Sequence, residues 1–411
     1  MAHQQANRNG AKRRPRDRRA VIEAAAAGLF ATRGFSGASI SDIASQVGVT
    51  PGAIYRHFPS KDALLRTILL DCLDQVSRCA EAIPAPMPPA ERLRVMVRRT
   101  MDLALGRPAW LTTYLTERHR LTAADRDQLR AAARRIATSW STAILACNPW
   151  LSHSETLQRQ RQRSVNGVLM MLARRNPGSH GPRTARLVED AVMRLLLAAP
   201  YRGGQLPDPG LPSPPWRPPH SRRRQIRDAA LTLFRAQGYS GVGIDEIGRA
   251  AGIAGPTVYG SYASKAEILA DACDFAVSRL EVAVDKAMEE AESAPHALRL
   301  LVQAYAQVAF ATPDITTDYA RDAHALPPTD RARVARRLAD IRLVSAEILC
   351  QVCPGLEVAE AHCLFAAAGS AAREAALGKD GTQMPPAATP ELLLEFLLPR
   401  AGASTCRPPA S

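Results

Sequence analysis

An all-α chain is predicted, on three observations. Aromatic residues make up only 5% of a sequence that is 46% hydrophobic, and Ala and Leu carry most of the apolar content; that balance favours helices over sheets. Apolar residues recur at helical spacing, as in Ile22, Ala25, Ala26, Leu29 and Phe30. Prolines fall between such stretches and seldom inside them. The 411 residues exceed what one helical core holds, so at least two domains are expected.

The net charge is +14, and 48 of the 53 basic residues are arginine. A chain this basic favours a polyanionic partner, nucleic acid before anionic lipid. The basic N-terminal residues lack the apolar run of a signal peptide, and no stretch approaches the roughly 20 apolar residues of a membrane span. Eight irregularly spaced cysteines suggest a reducing compartment, and a cytoplasmic, nucleoid-associated protein is expected. Cys350 and Cys353, near His362 and Cys363, lack a second Cys pair and are not read as a metal site. No phosphate-cradling glycine loop, catalytic triad or carboxylate pair declares itself, so neither enzyme activity nor a cofactor is expected.

The chain's first candidate site lies in residues 16–76 and the basic arm before them. Arg13, Arg14 and Arg16 belong to a basic arm suited to phosphates or the minor groove. A helix over 21–32 ends at Gly34, where a positive φ is predicted. Ser39, also a candidate DNA contact, caps a second helix that buries Ile40, Ile43, Ala44 and Val47, and Gly48 supplies the turn. Thr50 caps a third helix with Pro51 at its first position, while Gly52 and Ala53 leave room for close approach to base edges. Ile54 and Phe58 face inward, so Tyr55, Arg56 and His57 face out. Lys61, in the next helix's first turn, is placed for a phosphate. Two short helices around a Gly turn form a helix-turn-helix, whose second helix enters the major groove.

The run Gly34, Ile43-Ala44, Gly48-Val49, Tyr55, His57-Phe58, Ser60-Lys61 and Leu64-Leu65 resembles the DNA-binding domain of the TetR family. The resemblance covers about fifty residues. It implies an all-helical fold with a three-helix reader in front of a larger helical ligand domain. It places Thr50, Ala53, Tyr55, His57 and Lys61 at DNA contacts, and implies a small-molecule effector that releases DNA. Behind the reader, helices are predicted over 60–82, 89–105, 109–120, 123–146, 154–174 and 182–197, the complement such a ligand domain needs. Met101, Trp110, Tyr114, His119, Trp140, Met170 and Met171 are its candidate effector contacts.

The whole unit is then repeated. Residues 243–262 copy 39–58 at an offset of 204, and Tyr259 and Lys265 match Tyr55 and Lys61. Behind the reader the likeness continues after one inserted residue, pairing Tyr114 with Tyr319 and His119 with His324, which join the effector candidates. Arg222, Arg223 and Arg224 repeat the basic arm. Thr257, Tyr259, Ser261, Tyr262 and Lys265 are the second reader's candidate DNA contacts. Its Thr50 counterpart is Ala254, with Gly255 expected as a weaker cap, and Arg56-His57 becomes Gly260-Ser261. Weaker binding, or a different base sequence, is expected of it.

The predicted fold is therefore two tandem TetR-like units. The divisions are a flexible basic arm (1–15), a first reader (16–76) and a first ligand domain (77–199). A Pro/Gly-rich linker (200–219) leads to a second reader (220–280), a second ligand domain (281–399) and a disordered tail (400–411). Helices 154–174 and 182–197 are expected to pack on 358–377 and 391–398, making a pseudo-dimer within one chain. The partners implied are an asymmetric double-stranded DNA operator and an acyl-CoA or other lipid-like effector. Tandem actinobacterial regulators of this type include repressors of lipid genes. The rival reading is a scaffold or co-regulator whose second reader is degenerate and binds DNA weakly.

Overall fold

The computed structural model describes residues 15–81, 83, 86–174, 181–198, 221–311, 323–376 and 389–398. Among them every regular element is helical. The first unit runs α1 Pro15–Gly37, α2 Ile40–Val47, α3 Pro51–Tyr55, α4 Lys61–Glu81, α5 Pro89–Gly106, α6 Pro108–Glu117, α7 Ala123–Cys147, α8 Glu155–Arg174 and α9 Pro182–Leu197. The second runs α10 Arg222–Gln237, α11 Ile244–Ala250, α12 Gly255–Val258, α13 Lys265–Glu290, α14 Ala294–Ala311, α15 Pro328–Val352, α16 Val358–Ala376 and α17 Thr389–Leu397. Short 3-10 turns at Arg118–Arg120 and Ala323–Ala325 precede α7 and α15.

Helix ends follow the local chemistry. Pro51, Pro89, Pro108 and Pro182 sit at helix starts, where the missing N–H costs no hydrogen bond. Gly34 and Gly48 take φ of 72° and 71°, and their copies Gly238 and Gly252 take 78° and 70°. The arm is shorter than expected, because Pro15 already opens α1 and residues 15–19 are helical.

In the first reader Ile22, Phe30, Ile43, Ile54 and Phe58 form a core with Leu64, Leu65, Ile68 and Leu69 of α4. Trp110, Leu121 and Leu129 of the body join it. The reader is fastened further by the Thr113 hydroxyl donating to Ala27 O (3.1 Å) and the Phe35 N–H donating to Glu117 Oε1 (3.1 Å). Arg66 of α4 pairs with Asp125 at the start of α7 (2.5 Å). In the second unit Arg337 of α15 spans Asp274 and Glu281 of α13 instead.

The two units meet along α8 and α16, with α9 against α16 and α17. The α16 face is built of small buried residues, Ala366, Ala367, Ala368, Ser370, Ala371 and Ala372, which bring the helices close. Gly167 of α8 marks the tightest point. A Cβ there would fall on the carbonyl oxygen of Ser370 and within 2.6 Å of its carbonyl carbon. Polar groups finish the seam: Arg194 donates to Glu395 O (3.1 Å) and Phe396 O (2.8 Å), and Arg183 to Gly355 O (2.7 Å). Arg161, 2% exposed, instead closes the first unit, donating to Leu196 O (2.6 Å) and Ala198 O (2.7 Å).

Candidate nucleic-acid interface

The start of α2 is held by a reciprocal cap. Ser39 Oγ accepts from the Asp42 N–H (3.0 Å) and donates to the Asp42 carboxylate (2.5 Å), which also accepts the Ser39 N–H (2.7 Å). The hydroxyl and amide of Ser39 hold the Asp42 carboxyl below its ordinary value. Ser39, expected as a DNA contact, thus spends its hydroxyl proton inside the motif. Thr50 Oγ1 accepts from the Ala53 N–H (3.3 Å), fixing the start of α3. Ile54 and Phe58 are 0% and 1% exposed, which turns the opposite side outward. Thr50, Pro51, Gly52, Tyr55 and Arg56 are exposed, Tyr55 by 52%, and Ala53 and His57 are half-buried. Arg56 and His57 follow α3 in a turn and do not lie on the helix itself. These residues form one continuous outward surface, the arrangement that a groove requires.

Lys61 is only half available. Its ammonium lies 4.1 Å from the centre of the Phe35 ring, and burial, with Arg120 nearby, pushes its pKa down. Lys265 repeats the placement over Tyr239 (4.3 Å) and donates to Tyr239 O (2.6 Å) and Val242 O (2.8 Å). The matched lysines therefore share a packing role that spacing alone does not reveal: each holds the bend after the first helix.

The second reader departs further from expectation. Tyr262, expected as a DNA contact, is 1% exposed, and its hydroxyl donates inward to Asp271 (2.8 Å). Burial, then that hydrogen bond, raises its pKa. The cause is register: Tyr262 stands where Phe58 does and fills the same core position. Arg223 stacks on Tyr262 at 4.0 Å, as Arg19 stacks on Phe58 at 4.6 Å, and donates to Ser261 O (2.6 Å). Arg223 and the Ser261 carbonyl are thus tied to each other, although Arg222, Arg223 and Arg224 are all exposed, the last paired with Asp228 (3.4 Å). Ala254, not Gly255, is the cap residue of α12 and offers no side-chain hydrogen bond. Thr257 and Tyr259 are exposed, Tyr259 by 59%.

One feature of the second reader was not anticipated from sequence. Gly248 and Gly255 replace Ala44 and Pro51, and a Cβ on Gly248 would lie 2.8 Å from Gly255 Cα. The paired glycines let α11 and α12 approach more closely than side chains permit. Two correlated losses of Cβ at facing positions were the available signal.

Arg13, Arg14 and Tyr319 lie outside the described residues, as do the side chains of Arg16 and His324. Trp110 and Tyr114 pack with the first reader's core, and Arg118 lies over the Tyr114 ring (5.6 Å). Met101, Trp140 and Met171 belong to the body core, and Met170 is half-buried. His119 points to the second reader, where a Cβ on Gly238 would fall on its Nε2. Among the described residues no His, Cys, Asp and Glu side chains gather as a metal site, and no helix is long and apolar enough to cross a membrane.

Two exposed helix-turn-helix surfaces on helical bodies, the first capped and the second not, define a tandem helix-turn-helix protein. The model of bacterial regulatory proteins of the tetR family matches residues 22–68 and again 226–272, one match over each reader. The HTH-type transcriptional repressor KstR2 of Mycolicibacterium smegmatis is 31% identical over 108 residues, 26% of this chain and 53% of that protein. The HTH-type transcriptional activator FasR of the same organism is 36% identical over 98 residues, 23% of this chain and 44% of that protein. The chain thus spans about half the length of these curated relatives. A solved TetR-family transcriptional regulator from Bordetella parapertussis is 23% identical, covering 45% of this chain and 96% of its own, with a TM-score of 0.41.

Proposed function

We propose that this chain is a ligand-responsive transcriptional repressor that binds one asymmetric operator as a pseudo-dimer within a single polypeptide in the cytoplasm. The observation that carries the reading is the pairing of two unlike readers with a close α8–α16 seam between their bodies. Separate subunits on a palindrome present identical surfaces; here Arg56-His57 on one side faces Gly260-Ser261 on the other. Repression is supported by relatives named as repressors, KstR2 and a DhaR of Mycobacterium sp.. The effector, an acyl-CoA or another lipid-like molecule, rests on the family resemblance.

A footprint on DNA flanking the protein's own gene, with light scattering of the complex, tests the reading. One chain should protect two unlike half-sites, and a long-chain acyl-CoA should release it. Obligate binding of two chains per operator would overturn the single-chain reading. Replacing Tyr55 and Arg56 by alanine, and separately Thr257 and Tyr259, weighs the two readers. The uncapped α12 and inward Tyr262 favour a second reader that binds weakly, so the first pair should cost more affinity. If neither pair alters binding, DNA recognition by these surfaces is refuted.

A further inference from the structure

We infer that His119 is a spacer that fixes the separation of the two readers, and with it the half-site spacing the protein accepts. The inference rests on the operator-binding reading above, and concerns a residue placed in neither DNA surface. The 3-10 turn Arg118–Arg120 is clamped to the first reader. Glu117, 4% exposed, accepts the Phe35 N–H with one oxygen (3.1 Å) and the Arg120 Nε–H with the other (2.7 Å). Arg120 also lies over the Phe35 ring (5.4 Å). Between these two anchors His119 reaches across to the second reader and packs on Gly238, the residue that ends α10.

The fit is close on both sides. Gly238 has φ of 78°, and a Cβ there would also come within 2.6 Å of His119 Cε1 and 2.8 Å of Cδ2. The imidazole therefore rests directly on the Gly238 backbone. The contact has a reciprocal: the Ala323–Ala325 turn of the second unit lies against α1 of the first reader. Each reader thus touches a turn of the opposite unit, well away from the α8–α16 seam. Contacts on both sides of a two-fold-like pair favour one separation. One base pair of added spacing both lengthens and rotates a site, so a fixed pair of readers discriminates between spacings.

The test uses the full chain with spin labels on non-natural residues at Ser45 and Arg249, exposed and equivalent positions on α2 and α11. Distances between the labels are measured without DNA for wild type, H119A and H119F. Wild type should give one narrow distribution, H119A a broadened one, and H119F, which keeps a flat ring, a narrow one. In parallel, binding sites are selected from a random DNA pool. Wild type should recover two half-sites at one spacing. H119A should recover the same half-sites with spacing discrimination reduced roughly 5-fold or more, the lower end of ordinary site-to-site coupling. A distance distribution unchanged in H119A overturns the inference whatever the DNA result. Selection that enriches no sequence with wild type refutes the operator-binding reading, while the distances still decide whether His119 spaces the readers.

Discussion

Replacing Gly167 by alanine should loosen the seam between the two units, although the same change elsewhere in a helix strengthens it. Within α8 the substitution removes backbone freedom from the unfolded chain and should gain about 0.5–1 kcal/mol. Against that stands the clash with Ser370. The new methyl would fall on a carbonyl oxygen and come within 2.6 Å of the carbonyl carbon and 3.0 Å of Ala371 N. Those are backbone atoms of a helix, so no rotamer change relieves the contact. Carbon atoms pack favourably at about 3.5–4.0 Å, so α8 and α16 must part by about 1 Å. Parting them also loosens the flanking alanine contacts, and overpacking of this kind costs about 1–3 kcal/mol. The net expectation is a loss of up to about 2.5 kcal/mol, once the propensity gain of about 0.5–1 kcal/mol is set against it. Gly28, in α1, is the internal control, because a Cβ there meets nothing within 4 Å. Urea denaturation of both variants, followed by helical circular dichroism, makes the comparison. G28A should raise the midpoint and G167A lower it, independently of protein concentration because both helices belong to one chain. A G167A protein as stable as G28A would refute the close α8–α16 packing.

Three further outcomes follow from the readers. Asp42 has a depressed folded pKa, so its contribution is present above the ordinary aspartate value of about 4 and is lost as pH falls through the folded value. The stability difference between wild type and D42N should therefore shrink only in acid, measured by denaturation from neutral pH downward. K265M removes two hydrogen bonds to backbone carbonyls and should cost about 1–3 kcal/mol, whereas K61M loses chiefly a ring contact worth about 0.5–1 kcal/mol. Thermal melts should rank them in that order, and an equal cost would count against the two carbonyl hydrogen bonds that Lys265 adds to the shared ring contact. A254T should restore the missing cap of α12 and gain about 1 kcal/mol. A melt unchanged or lowered by A254T would argue against the uncapped start of that helix.

Much of this architecture was legible because its signals are local. Proline and glycine positions located most helix ends to within a residue or two, since Pro lacks an N–H and Gly alone takes positive φ cheaply; α1, which opens at Pro15 against an expected 21, is the exception. Capping by Ser39 and Thr50 was readable for the same reason, and the repeat doubled the glycine signals at 34/238 and 48/252. What escaped was decided by tertiary contact. A lysine at a helix start suits a phosphate and a neighbouring ring equally well, and only the packing of Phe35 and Tyr239 chooses the ring for Lys61 and Lys265. Tyr262 looked like a polar reader because its hydroxyl suggests exposure, yet the matched Phe58 position is core and Asp271 satisfies the hydroxyl. The aromatic and Met residues of the body were grouped by type, whereas the fold divides them between two cores.

The asymmetry between the readers goes deeper than the side chains they present. Arg56 and His57 against Gly260 and Ser261 alter the charge offered to DNA, but Gly248 and Gly255 alter where the second helix stands. Its start carries no hydroxyl cap, and it is the shorter by one residue, Gly255–Val258 against Pro51–Tyr55. A helix drawn closer to its partner presents Thr257 and Tyr259 at a different depth, so exchanging surface residues alone cannot convert one reader into the other. Grafting Arg and His at 260 and 261 should strengthen phosphate contact and steepen the salt dependence of binding. It should leave the second half-site sequence distinct from the first. The graft combined with G248A and G255P addresses both terms, and binding-site selection with the two variants separates them. If the surface graft alone makes the two recovered half-sites identical, the helix placement set by the paired glycines has no part in recognition.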